Sequence, residues 1–458
     1  HGQQLRLAGA LTGDEPPGRG VHRGADGQQA VALAAAYLLL GLFGREGSRA
    51  AAGRMLVSCG SGLALVAVAL AALHQNGDRT FLVDGSSAMR SWAIPELARV
   101  SYVGKHVTLF GMPLVKATLV ASFVGLALVA GVVPLHSWLG PVLASAPPAV
   151  SAMLVAGLSR AALLGWLRVD VGVLPESVRW AAPVLGAVAC AGALYAALAA
   201  MGQRDLLRTV GFGVVASSSL ALLGSCSLTP EGVLGFVEGA ATSGAAGAVA
   251  ILALGALHER TGTLVVRELR GLGVEAPVLA ASLAVAVLAV GAMPGCATFW
   301  GAWLVTLGLV PREPGLALGA AAAAILAASA MASPLLAVVR GRLPERLRGG
   351  ETLAPFGGHV PELRPAELGA ILPLVAVLVL LGFYPAPLLG KAATTVRDYG
   401  ELVDPEGPTK ISSTWPGSED EERGALYAVV DRRLAVAVVV VGPPEAQPEA
   451  QARDRIGE

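Results

Sequence analysis

The amino-acid sequence predicts an all-α polytopic membrane protein of about ten transmembrane helices, and three observations lead there. Hydrophobic residues make up 54% of the 458 positions and charged residues only 14%, against roughly 25% charged in ordinary soluble domains. The mean hydropathy is +0.64, and apolar stretches of the ~17 to 25 residues that a bilayer demands recur along the chain. Two of those stretches carry a helix breaker deep inside them, Pro134 in the third and Met293-Pro294-Gly295 in the eighth.

The expected spans lie near 28–44, 55–74, 113–134, 149–168, 181–201, 209–227, 233–257, 276–309, 315–339 and 367–390. The eighth is too long for one crossing, so it reads as a helix interrupted at Pro294 and Gly295. The third runs through Leu126 to Val133 into Pro134 and is followed at once by His136. Broken backbone at membrane depth is tolerated only where protein or a water-filled cavity covers the freed carbonyls, so each break points to an ion or proton path. Two interrupted helices in separate halves of a chain are the pattern of inverted-repeat transporters.

Arginines set the orientation. Arg45, Arg49, Arg54, Arg204, Arg208, Arg260, Arg267, Arg270, Arg340, Arg342, Arg346 and Arg348 fall in one set of connections, which by the positive-inside rule faces the cytoplasm or the mitochondrial matrix. Ten spans leave both ends on the other side. Residues 1–27 form a polar, Gly-rich N-terminal extension without an initiating methionine, consistent with processing. Residues 28–391 are expected to form the transmembrane region and 392–458 a C-terminal extension, in which two β-branched runs within 425–441 are too short to cross a bilayer and suggest a β-hairpin or an edge strand added to a neighbouring subunit.

Composition also excludes. A net charge of zero gives no electrostatic footprint for nucleic acid. Cys59, Cys190, Cys226 and Cys296 are scattered through apolar runs without a Cys-x-x-Cys pair, so neither a metal site nor an iron-sulfur cluster is expected on this chain. Gly211-Phe-Gly213 lacks the strand and partner residues of a nucleotide loop.

Six stretches, taken in order, carry a resemblance: Val133-Pro-Leu-His-Ser-Trp-Leu139, Ala146-Pro-Pro-Ala-Val-Ser151, Gln203-Arg-Asp-Leu-Leu-Arg208, Leu257-His-Glu-Arg-Thr-Gly-Thr263, Met293-Pro-Gly295 before Phe299, and the run from Ile371 through Gly382-Phe-Tyr-Pro to Pro387. From about Ala30 to Tyr384 the chain resembles the NuoM-type antiporter-like subunit of respiratory complex I, a family shared with Mrp cation antiporter and membrane-bound hydrogenase subunits. The resemblance implies two inverted five-helix repeats. It also implies a place in the membrane arm of an NADH:quinone oxidoreductase that couples quinone reduction to proton translocation. No cofactor is expected on this chain; FMN, iron-sulfur clusters and quinone would belong to partner subunits. Expected partners are other membrane-arm subunits, antiporter-like ones included, and membrane lipids. The resemblance starts at what would be a fifth helix, so a separate chain supplying about four preceding helices is a further expectation. The alternatives are a Mrp-type cation/proton antiporter subunit and a hydrogenase-type membrane subunit. The expected location is the mitochondrial inner membrane, with a bacterial plasma membrane as the alternative.

Against that resemblance the polar positions are depleted. The glutamate implied on the first span aligns with Ala30, and the lysine implied seven residues before His136 with Val129. A lysine on the fourth span is replaced by Arg160, the implied histidines fall on Ser217 and Ser243, and the ionisable residue of the second broken helix falls on Ala302. Arginine keeps its proton under essentially all protein conditions, which makes it a poor relay. Proton transfer by the usual route is therefore expected to be impaired and the chain's role to be mainly structural.

Four residues remain as proton-path candidates, each with a structural alternative. His136 reads either as a proton carrier or as a ring capping the carbonyls of Gly131 to Val133. Arg160 at mid-span must face the interior and is expected to pair with Glu238 of the seventh span. Lys116, near the start of the third span, is placed to snorkel. Asp205 reads as a helix cap, and Trp138, Trp166, Trp180, Trp300 and Trp303 read as interfacial anchors.

Overall fold

A computed structural model describes residues 25–45, 47–76, 97, 108–109, 111–392 and 396 of the chain. The suggested hairpin at 425–441 and nearly all of both extensions lie outside the described residues.

The ten expected segments are each occupied by a helix or a broken pair. In chain order these are α1 (Ala25–Phe43), α2 (Ser48–Asn76), α3 (Leu114–Ala130) with its continuation α4 (Leu139–Ser145), α5 (Pro148–Val171), α6 (Pro175–Met201), α7 (Leu206–Cys226) and α8 (Pro230–Thr261). There follow a short α9 (Leu272–Glu275), the broken pair α10 (Pro277–Val290) and α11 (Thr298–Leu309), α12 (Pro314–Val339), a short α13 (Glu345–Arg348) and α14 (Pro365–Phe383). Seven of them, α2, α5, α6, α7, α8, α12 and α14, are each long and apolar enough to cross a membrane. Among the described residues the only sheet is the two-residue pair β1 (Thr108–Leu109) and β2 (Met112–Pro113) ahead of α3.

Sequence dictates where these helices start. Proline occupies the first turn of α5, α6, α8, α10, α12 and α14, where its missing N–H has no intrahelical acceptor to lose. Asp205 accepts from the Arg208 backbone N–H at 3.0 Å and Thr229 from Gly232 at 3.2 Å, so both cap their helices as their side chains allow. Inside, α8 lies between α7 and α11 and is buried along nearly all of its length.

The arginine-bearing connections gather at one end of the bundle. Backbone hydrogen bonds join Arg45 to Ser145, Leu206 to Leu264, Val266 to Arg204 and Gly271 to Arg340. Arg260, at the end of α8, binds both carboxylate oxygens of Glu367 at 3.2 and 2.5 Å and donates to the carbonyls of Ala256, Pro361 and Glu362. That one side chain ties α8 to the start of α14.

Helices meet where glycine lets backbones touch. A Cβ on Gly235 of α8 would lie 2.6 Å from the Val305 nitrogen of α11, and one on Gly308 would lie 2.6 Å from the Gly232 Cα. Without lipid-excluding hydrophobic force between membrane helices, such close packing is a main source of their association.

Candidate functional site

Both breaks exist, and in each of them side chains take up freed backbone carbonyls. The first follows Gly131, whose φ of 70° sets the left-handed turn that ends α3, and contains the cis peptide Val133-Pro134. The freed Leu128 carbonyl accepts from Trp138 Nε1 at 2.8 Å and the Ala130 carbonyl from Ser159 Oγ at 2.6 Å. The carbonyls they cap precede Gly131 to Val133, the ones for which a His136 cap was one of the two readings. Trp138 is thereby 1% exposed, and Trp166, also 1% exposed, donates to Ser225 at 2.9 Å. Neither is an interfacial anchor: each indole N–H found an acceptor inside the bundle. Trp180 and Trp303 do stand exposed on the outer surface.

The second break spans Gly291 to Ala297, with Gly295 at φ 89° and Ala292 at φ 55°. Thr298 takes the Ala289 carbonyl, the Ala297 N–H donates to Leu378 of α14 at 3.0 Å, and Trp300 Nε1 donates to the Gly382 carbonyl at 2.8 Å. This loop therefore rests on α14.

His136 sits half-buried in the first break, its ring against Tyr195 and Phe212 at 5.9 Å between centroids. It lines a cavity of about 720 Å³ shared with Arg45, Asp205, Arg208 and His258, residues of the basic end. The cavity thus reaches from that end inward to the Pro134 break. Lys116 lies near the opposite end of α3 with Nζ 4.6 Å from the Trp180 ring centroid, a cation–π contact at an exposed tryptophan.

Arg160 and Glu238 are both buried, and the structure does not pair them. Arg160 donates Nε to Val155 at 3.2 Å, while Nη1 and Nη2 meet no partner among the described residues. Its stem crosses α8 at Gly244, where a Cβ would come within 2.7 Å of the arginine Cγ. Glu238 lies six residues earlier on α8, about 9 Å along the axis at 1.5 Å per residue. Its Oε2 turns instead against Gly301 of α11 and is unpartnered. Helix rise, invisible to a list of charges, explains the failed pairing.

Two interior groups escaped the sequence reading. Asp170 on α5 is 0% exposed and accepts from Ser122 Oγ of α3 at 3.1 Å through Oδ2, with Oδ1 unpartnered. Gln29 is a buried polar residue of α1, while the neighbouring Ala30, aligned to the implied glutamate, points outward. An acid flanked by apolar residues near a span end reads as interfacial, and α5's two π-helical turns, Leu154–Leu158 and Trp166–Val171, further shift the face on which Asp170 falls; for Gln29 a one-residue register on α1 decides. The other implied positions are as the sequence gives them: Val129, Ser243 and Ala302 face inward and Ser217 is half-buried. Among the described residues no cluster of His, Cys, Asp and Glu is arranged to hold a metal.

A polytopic helical bundle with two broken helices and isolated ionisable groups at membrane depth is the class this structure defines. The family described as NADH:quinone oxidoreductase/Mrp antiporter, transmembrane, matches residues 30–327, and the chain belongs to that family. Subunit M of the NADH-quinone oxidoreductase of Mycobacterium tuberculosis is 26% identical over 362 residues, 77% of this chain and 61% of the relative. Subunit 13 of the Thermus thermophilus NADH-quinone oxidoreductase is 30% identical over 360 residues, 78% of this chain and 69% of the relative. The chain thus spans about three fifths of the length of the mycobacterial relative, at 61%. Among solved structures, respiratory complex I from Thermus thermophilus with bound NADH superposes with a TM-score of 0.70 at 25% identity, covering 82% of this chain and 74% of that one. The Mrp complex from Dietzia shares the fold, with a TM-score of 0.68 at 20% identity over 82% of this chain and 73% of that one.

Proposed function

We propose that this chain is an antiporter-like membrane-arm subunit of a complex I type NADH:quinone oxidoreductase, itself without a redox centre, with FMN, iron-sulfur clusters and quinone held by partner subunits. The observation that carries this reading is the family match over 30–327, which includes both broken helices. NADH-quinone oxidoreductase subunits among the relatives favour it over a Mrp-type antiporter. A hydrogenase-type membrane subunit is the remaining reading. The bacterial relatives favour a bacterial plasma membrane over the mitochondrial inner membrane.

Within that assembly, proton transfer along the line of His136, Arg160 and Glu238 is impaired and the contribution is mainly architectural. Val129 and Ala302 carry no proton at all, Ser217 and Ser243 offer hydroxyls that pass a proton without storing one, and Arg160 does not release its own. Affinity purification of the tagged chain from its own membranes tests the assignment. Flavin and iron-sulfur subunits with NADH:quinone reduction in the same fraction are expected; nickel-iron partners, or sodium-driven pH changes in vesicles holding the chain alone, would overturn it. Glu238→Gln is expected to lower the proton-to-electron ratio of the reconstituted complex by less than a tenth, and a loss of a quarter or more contradicts the impairment.

A further inference from the structure

Asp170 is a carboxyl group with the surroundings of an exchanger rather than of a strut. It is completely buried, lies one residue before the end of α5, and belongs to the π-helical turn Trp166–Val171. An aspartate that only braces two helices is ordinarily held by a cation or by several N–H donors, because an unmatched buried charge is the expensive state. Among the described residues a single hydroxyl, Ser122 Oγ at 3.1 Å, meets one oxygen, and the other has no hydrogen-bond partner. A serine hydroxyl donates to a carboxylate and accepts from a carboxylic acid equally well, so this partner suits both protonation states.

The charged groups on the packed elements do not fix either state. Lys116 lies on α3, six residues before Ser122, and its Nζ is engaged over Trp180. Among the described residues, Arg168 on α5 and Glu176 and Arg179 at the start of α6 are the other charges nearby in sequence or contact, and none hydrogen-bonds to Asp170. Arg160 is ten residues away on the same helix, about 15 Å along the axis. On α1, Gln29 leaves its Oε1 unpartnered, with its amide beside Gly165, five residues before Asp170.

We infer that Asp170 is a proton-binding site at the end of the bundle opposite the arginine-rich connections, lying off the line of His136, Arg160 and Glu238, and that its protonation changes the α3–α5 contact through Ser122. When a proton binds, it adds to Oδ2 and the Ser122 O–H···Oδ2 hydrogen bond is exchanged for Oδ2–H···Oγ, the serine turning from donor to acceptor; release reverses both, with no other covalent bond made or broken. The π-turn supplies the slack, since its extra residue can take up a small change in the hydrogen bonding of the last turn.

Difference infrared spectroscopy of the intact purified complex between acid and alkaline pH tests this, with the chain labelled by ¹³C-carboxyl aspartate to separate Asp170 from Glu238. A carboxylic acid C=O band that moves with the label and vanishes at high pH is expected, as is its loss in Asp170→Asn and its return at a displaced frequency in Asp170→Glu. Ser122→Ala should keep the band and move its midpoint. The proposal is overturned if the labelled wild type shows no pH-dependent band, if Asp170→Asn retains it, or if the band responds to sodium at fixed pH and not to protons. The labelled wild-type measurement stands even if a variant does not assemble. The co-purification outcome is read separately, so the proton site and the assignment to an NADH:quinone oxidoreductase can fail independently.

Discussion

At the scale of single residues, the interior is decided by which polar atoms find partners. Arg260 is the satisfied extreme, with five hydrogen bonds to carbonyls and to Glu367. Arg260→Ala would remove all five of these hydrogen bonds and, among the described residues, leave the Glu367 carboxylate with only the Arg364 backbone N–H, and a loss of about 3–5 kcal/mol is expected from thermal unfolding in detergent. Arg260→Lys should recover only part of it, because an ammonium cannot span both oxygens. Trp138→Phe removes one donor from the first break and should cost about 1–3 kcal/mol by the same measurement. Residue type was legible in the sequence; pairing was not. Arg260 and Glu367 are 107 positions apart, and no periodicity links them. Arg160 and Glu238 looked like natural partners because they were the two mid-span charges, yet the axial offset on α8 keeps them apart. Gln29 in place of Ala30 shows the same limit, since a shift of one residue turns a helix by 100° and exchanges inside for outside.

At the scale of elements, hydropathy and prolines located the helices and both breaks well, because bilayer thickness and the missing proline N–H are local constraints. What covers a break is a tertiary matter, and the sequence misassigned Trp138 and Trp166 for that reason. The glycine seam between α8 and α11 belongs to this scale. Gly235→Ala should push a methyl against the Val305 backbone and cost about 1–3 kcal/mol, seen as a lower melting temperature, whereas Gly60→Ala, inside α2 where nothing stands within 4 Å, should be neutral to stabilising by up to about 1 kcal/mol. A second element-level contact lies outside the membrane. Glu275, at the end of α9, receives Arg348 at 2.9 Å and meets His359 Nδ1 at 2.7 Å, holding the 343–364 connection against α9. The His359 hydrogen bond, followed by the Arg348 contact, holds the Glu275 carboxyl below its ordinary value of 4.5. A lowered folded value means stability that is present above pH 4.5 and is lost as pH falls through the folded value. Limited proteolysis of that connection should therefore accelerate on the acid side, below the ordinary carboxylate range, and Glu275→Gln should remove the pH dependence.

At the scale of the whole molecule, the basic connections gather at one end and the cavity that reaches His136 opens among them. The interior beyond it holds ionisable groups that do not touch: Arg160 beside Gly244, Glu238 against Gly301 and Asp170 on Ser122. Their separation is what the proposed impairment of transfer rests on, because groups that do not touch cannot hand a proton directly from one to the next. Depletion was legible from sequence at Val129 and Ala302; the survival of Asp170 at 0% exposure was not, because burial of an acid near a helix end depends on what its neighbours leave open.

The support that α14 gives the second break has a mechanical consequence. Ala297 and Trp300 are both fastened to α14, and a Cβ on Gly382 would collide with the Gly295 carbonyl, so the two surfaces bear directly on each other. Most of the outer face of α14 is open, with Leu380 and Phe383 at 65% and 78% exposure. Sideways load on that helix, from lipid pressure or an adjoining protein, is passed straight to the Gly291–Ala297 break, which makes the rim of the bundle a handle on that interruption.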